Sequence, residues 1–92
     1  MVNDLRVVWN VEKEQLNIQK HGIDFNVASL VFNDYYRIEL FDKEHSVEEV
    51  RYNVIGSVQG RVIFVVYAER KDYIRIISAR MATRRESEIY YG

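Results

Sequence analysis

Arg61-Val62-Ile63-Phe64-Val65-Val66-Tyr67-Ala68 is apolar on both alternating faces, the pattern of a central β-strand covered on both sides. Gln59-Gly60 precedes it and Arg70-Lys71-Asp72 follows it, each a polar turn between apolar runs. Residues 50 to 79 therefore read as an antiparallel three-strand meander. Upstream, Val50, Tyr52 and Val54 alternate with Arg51 and Asn53, and Tyr36, Ile38 and Leu40 alternate with Arg37 and Glu39. Both stretches are half-buried strands with one wet face.

Nearer the N-terminus the period changes to that of helices. Leu5 to Trp9 is a short apolar run suited to an edge strand, and Asn10 supplies an N-cap oxygen for a helix from Val11 to His21. That helix is polar (Glu12, Lys13, Glu14, Gln15, Asn17, Gln19, Lys20), which places it on the surface, and Gly22 ends it. Asp24 caps a second helix with a better apolar face in Val27, Ala28, Leu30, Val31 and Phe32. At the other end, Thr83 and Glu86 form a capping box that starts a last helix through Tyr90. The reading is an α+β fold: two N-terminal helices, a four-stranded antiparallel sheet and a short C-terminal helix.

A chain of 92 residues fits one domain, 1–92, with one core and one site. With no cysteine there is no disulfide and no thiolate metal site. The first residues lack a secretory pattern, and no stretch reaches the roughly 18 apolar residues of a membrane span. The cytoplasm is the expected location. Residues 1–50 carry five Lys/Arg against ten Asp/Glu, whereas residues 51–92 carry eight against four. The basic half is nearly all arginine, which suits an anionic ligand.

The segment Ile74 to Glu86 spreads Arg75, Arg80, Arg84 and Arg85 across a strand-to-helix join. Guanidinium forks on a rigid frame match phosphate oxygens two at a time. Trp9-Asn10, Lys13, Asn17, Lys20-His21-Gly22-Ile23, Phe25, Ala28, Val31 and Phe32 occur in the order and spacing of a known family. His45-Ser46, Glu49, Arg51, Gly60-Arg61, Val65-Val66-Tyr67, Glu69-Arg70, the run Ile74 to Arg80, Ala82-Thr83, Glu86 and Tyr90 continue the match. The chain thus resembles the BrnT toxins of bacterial and archaeal toxin-antitoxin modules. It departs from their pattern at Glu48, where glycine is common, and at Met81 and Ser87, where basic residues are common.

The resemblance implies a fold similar to RelE-type ribonucleases and growth arrest by RNA cleavage. It also implies neutralisation by a BrnA antitoxin with a ribbon-helix-helix domain, the pair repressing their own promoter. Operator DNA would then be met only through the antitoxin, and no membrane is involved. No cofactor is indicated, and two histidines 24 positions apart do not make a metal site.

Attack of a ribose 2′-hydroxyl on its own phosphate needs proton transfer and cations around the phosphorus. Alternation puts Arg37, Arg51 and Arg75 on the open side of the sheet with Tyr73. Arg51 and Arg80 are the expected electrostatic pair, with Arg75 third and Arg70 and Tyr73 as further substrate contacts. His45, in a polar loop, is the candidate acid or base, and Glu49 is a second possible base. Tyr67 and Tyr73 are candidates for stacking on nucleotides. His21 is expected to cap a helix and Trp9 to anchor one. Two alternatives stand beside this reading. In one, Arg51 and Arg75 simply pair with Glu39 and Glu49 across the sheet; in the other, the arginine face belongs to a non-catalytic module that binds antitoxin or nucleic acid.

Overall fold

The computed structural model describes residues 6–92. Its elements in chain order are β1 (Arg6–Trp9), α1 (Val11–His21), α2 (Phe25–Ser29), a 3₁₀ turn (Leu30–Asn33), β2 (Ile38–Phe41), β3 (Val50–Val58), β4 (Arg61–Glu69), β5 (Tyr73–Met81) and α3 (Arg84–Tyr91). The strands form one five-stranded sheet in the order β1-β5-β4-β3-β2.

The meander is present. β3 pairs antiparallel with β4 from Val50 opposite Glu69 to Val58 opposite Arg61. The two residues between them, Gln59 and Gly60, both have positive φ, 53° and 80°. Two left-handed residues in a two-residue hairpin match the right-handed twist of the strands they join. β4 is central, and its core residues Ile63, Val65 and Tyr67 are nearly inaccessible to solvent.

The sheet is not the four-stranded antiparallel one expected. β1 joins it as a fifth strand, parallel to β5, with Val7 opposite Ile74 and Trp9 opposite Ile76. Leu5, the first residue of the expected edge strand, lies outside the described residues. A parallel partner more than sixty positions away leaves no mark on local periodicity, so the pairing is invisible in the sequence. The second helix is also shorter than the apolar pattern suggests. It tightens into a 3₁₀ turn at Leu30, while Val31 and Phe32 still enter the core.

Helix α1 reverses the usual rule. Its buried residues are Glu14 and Asn17, while Val11 and Leu16 are about two-thirds exposed. The Asn17 amide donates to the carbonyls of Ile23 and Ala79, each at 2.9 Å, and accepts from the Ala79 N–H at 3.1 Å. Glu14 accepts the N–H of Phe25 at 2.8 Å. The helix is thus docked on β5 and α2 by polar groups that satisfy buried backbone, rather than lying free on the surface. At its end the Gly22 N–H, not His21, donates to the Ile18 carbonyl at 2.8 Å. Trp9 meets Phe25 edge-on at 6.2 Å, the anchoring role expected of it.

The core lies between these helices and one face of the sheet, around Phe25, Val31, Phe32, Val54, Val65 and Ile76. Gly56 permits the close approach, since a Cβ there would stand 2.7 Å from Val31 Cγ2. At the C-terminus, Thr83 and Glu86 make the capping box of α3, and α3 packs on β3 and β4. The hydroxyl of Tyr90 donates to Asp34 at 2.5 Å, and the same carboxylate oxygen accepts the Ser57 N–H at 2.7 Å.

Candidate functional site

Cross-strand partners share a face, so the register sorts the charged residues. Arg51, Ala68 and Arg75 form one row; Asn53, Val66 and Ser78 the next; Ile55, Phe64 and Arg80 the third. All lie on the face opposite Val54, Val65 and Ile76. A bulge makes this possible, because Val66 faces Ser78 while Tyr67 faces Ile76, leaving Ile77 unpaired. The extra residue reverses the alternation of β5 and brings Arg75 and Arg80 to the same side.

Arg37 does not join them. β2 sets Ile38 opposite Ile55 and Glu39 opposite Val54, so the residues flanking Ile38 belong to the helix-bearing face. Arg37 Nε donates to Glu39 at 3.1 Å, and the other oxygen of Glu39 accepts the Tyr67 hydroxyl. Tyr67 itself is 4 % exposed, stacked on Tyr52 and edge-on to Phe32. Burial first, and then the Glu39 hydrogen bond, raise its pKa far above the usual phenol value. It is a core residue and not a platform for a nucleotide.

The arginines at the other end of the face converge on one acid. Arg75 donates to both oxygens of Glu49 at 3.0 and 2.7 Å, Arg70 at 2.8 Å, and Arg51 through Nε and Nη2 at 3.3 and 3.2 Å. They come from β5, from the β4–β5 turn and from the start of β3. Burial alone would raise the pKa of Glu49, but the Arg51 hydrogen bonds and the charges of Arg75, Arg51 and Arg70 outweigh it and hold the carboxyl below its ordinary range. A carboxylate held so firmly ionised is a poor proton acceptor. Of the two acids considered as partners in the sequence, Glu49 takes Arg51 and Arg75, and Glu39 takes neither.

His45 stands beside this cluster. Its Nδ1 lies 3.1 and 3.0 Å from the two oxygens of Asp42, and its Nε2 lies 3.9 Å from a Glu44 oxygen. The loop that carries it is fastened to β3. Ser46 Oγ donates to the Asp42 carbonyl at 2.5 Å and accepts the Arg51 N–H at 2.9 Å, and the Asp42 N–H donates to the Arg51 carbonyl at 2.9 Å. His45 and Arg51 are therefore held as a unit. Both border a hollow of about 510 Å³ with Glu49 and Arg70. Both also border a groove of about 340 Å³ that runs over Asn53, Val66 and Ser78 to Phe64. The side-chain oxygen of Asn53, buried against this groove, has no hydrogen-bond partner.

Arg80 lies over Phe64, beyond the end of this groove and four residues along β4 from the Arg51 row, roughly 13 Å by strand rise. It does not form a close pair with Arg51. Its guanidinium lies 4.1 Å from the centre of the Phe64 ring and donates to both oxygens of Glu86 at 2.8 and 3.0 Å. The Arg80 hydrogen bond is also the main reason that the Glu86 pKa is lowered. Tyr73 lines a third hollow, of about 620 Å³, with Arg70 and the β4–β5 turn. Arg70 borders both this hollow and the one at His45.

The sequence sets both Asp42 and Glu44 beside His45, and the structure gives Nδ1 to Asp42. The pairing of Arg51 and Arg75 with Glu49 is among the sequence alternatives, but the third guanidinium on the same acid, Arg70, is not, because the β4–β5 turn must first bring it over Glu49. Among the described residues no three His, Asp or Glu side chains are grouped to hold a metal ion, and no helix is long and apolar enough to cross a membrane.

A comparison with curated proteins finds no match. Residues 9–86 match a family model described as the ribonuclease toxin, BrnT, of type II toxin-antitoxin systems. The match takes in both helices before the sheet, all three arginines of the cluster, His45, Arg80 and Glu86. The chain belongs to the BrnT family of ribonuclease toxins.

Proposed function

We propose that this protein cleaves RNA without a metal ion, on the face that carries Arg51, Arg70, Arg75 and His45. One observation supports the reading above others: Ser46 fastens the His45 loop to the backbone of Arg51, so a proton-transfer group and a phosphate-binding cluster are fixed side by side. The three guanidinium groups bear on the scissile phosphate and stabilise the charge that grows on its oxygens. The ribose 2′-oxygen attacks phosphorus, the bond to the 5′-oxygen breaks, and a 2′,3′-cyclic phosphate and a 5′-hydroxyl result. Nε2 of His45 either takes the proton that the 2′-hydroxyl loses or gives the one that the leaving 5′-oxygen gains, and water exchanges the other. The nucleoside lies along the groove over Asn53 and Phe64, with Arg80 beyond its far end meeting a neighbouring phosphate. Tyr73 and Arg70 extend the surface toward the β4–β5 turn.

Membership in a type II toxin family brings an antitoxin with it. The partner proposed is a BrnA-type protein with a ribbon-helix-helix domain, through which the complex reaches operator DNA and represses its own promoter. The toxin would act in the cytoplasm.

Purified protein, freed of antitoxin, is expected to cut RNA in excess chelator and to leave cyclic phosphate ends. Intact RNA under these conditions overturns the catalytic reading in favour of a binding module that uses the same arginines. Coexpression with the antitoxin is expected to give a stable complex with little cleavage.

A further inference from the structure

The arginine cluster is already occupied by a side chain of the protein itself. Both oxygens of Glu49 are used, each accepting from at least two guanidinium groups, as two oxygens of a phosphate would be. The carboxylate is largely shielded, with 11 % of the side chain exposed, while Arg51, Arg70 and Arg75 remain 32 %, 44 % and 32 % exposed on the outside of the ring. Three positive charges around one negative leave the ring an excess of two. Glu49 also sits in the bend that ends at Val50, one residue before the β3–β4 ladder begins. Its side chain can leave the ring without breaking a ladder hydrogen bond.

We propose that Glu49 is an internal phosphate mimic, which keeps Arg51, Arg70 and Arg75 converged in the free protein and which an RNA phosphate displaces on binding. This rests on the reading of the arginine face as the RNA-binding surface. Holding the three long side chains in place beforehand removes much of the ordering cost of binding. The cost is competition, since the entering phosphate must displace a carboxylate that is already well paired. Glu49 thereby sets how tightly the site takes anions.

The test is isothermal calorimetry with two probes, pyrophosphate and a 2′-O-methyl oligoribonucleotide that lacks the attacking hydroxyl. Glu49→Gln keeps the shape and removes the competing charge, and is expected to bind both probes about tenfold more tightly than wild type. Glu12→Gln, an equal change of charge at an exposed position of α1, is expected to change affinity less than about twofold. Glu49→Asp leaves the net charge alone but is too short to span the ring. It is expected to gain about threefold, and it carries the test should Glu49→Gln fail to fold.

Glu49 variants that bind pyrophosphate no better than Glu12→Gln overturn the proposal, even if wild type cleaves RNA. Conversely, a gain in pyrophosphate affinity in a protein that leaves RNA intact supports the occupied seat and defeats the ribonuclease reading alone.

Discussion

Arg75 and Arg80 lie on the same face of β5 although they are five positions apart, an odd spacing, because the bulge at Ile77 resets the alternation between them. The face proposed to bind RNA therefore has two cationic stations, with the groove over Asn53, Val66 and Phe64 between them. One is the Arg51, Arg70 and Arg75 ring; the other is Arg80 over Phe64.

The second station is structural as well as electrostatic. Arg80→Ala removes a two-pronged pair with Glu86 and uncovers Phe64. It is expected to lower stability by about 1–2 kcal/mol together with any loss of cleavage. Urea unfolding should show the shift, whereas an unchanged midpoint would mean that the pair contributes nothing to the fold.

His45 and Asp42 differ in what their loss removes. His45→Asn is expected to reduce RNA cleavage by roughly 10²–10⁴-fold. Asp42→Asn weakens the hold on Nδ1 and is expected to lower kcat about 10–100-fold with KM little changed. A rise in KM at constant kcat would instead assign Asp42 to substrate binding.

Asn17 is expected to be the most sensitive position in α1. Asn17→Ala orphans the buried Ile23 and Ala79 carbonyls and the Ala79 N–H, at a cost of about 3 kcal/mol. Leu16→Ala, on the exposed side of the same helix, should change stability by less than about 0.5 kcal/mol. Equal effects of the two substitutions would contradict the polar docking of the helix.

Acid should unfold the protein through three carboxylates. Glu49, Glu86 and Asp34 all have folded pKa values below their ordinary ones. Burial is the largest single influence on Glu49 and Asp34 and opposes the shift, but the hydrogen bonds and charges of Arg51, Arg75 and Arg70 together outweigh it for Glu49, and those of the Ser57 N–H, Tyr90, the Tyr36 N–H and Arg37 together for Asp34; in Glu86 the Arg80 hydrogen bond is the leading cause. The unfolded chain therefore takes up protons first. Their contribution is complete at neutral pH and is lost as pH falls through and below about 4. Unfolding free energies in urea should be nearly flat from about pH 7 to 5 and decline below about 4, and a curve that rises toward acid would refute the assignment.

The meander was legible because local signals agree there: Gln59-Gly60 between two apolar runs fixes the hairpin, and Thr83 with Glu86 fixes the start of α3. Arg51 and Arg75 were correctly placed opposite Val54 and Ile76, since simple alternation holds near them. Arg37 was not, because the β2–β3 register sets Ile38 against Ile55 and no local pattern reports that pairing. Glu14 and Asn17 look like surface residues in sequence, and only their backbone partners, up to 62 positions away, make them buried. Glu49 was legible as a partner of Arg51 and Arg75, but the arrival of Arg70 on the same carboxylate was hidden for the same reason. Its contacts depend on register, turn and bulge together.

The parallel pairing of β1 with β5 ties residues near the start of the chain to residues near its end. A nascent chain emerging from the ribosome cannot complete the sheet until β5 has been synthesised, and contacts of such long sequence separation close slowly. Until β5 exists, β1 has no partner in the sheet, so the edge of the fold and the Arg75 corner of the guanidinium ring are completed by the same strand.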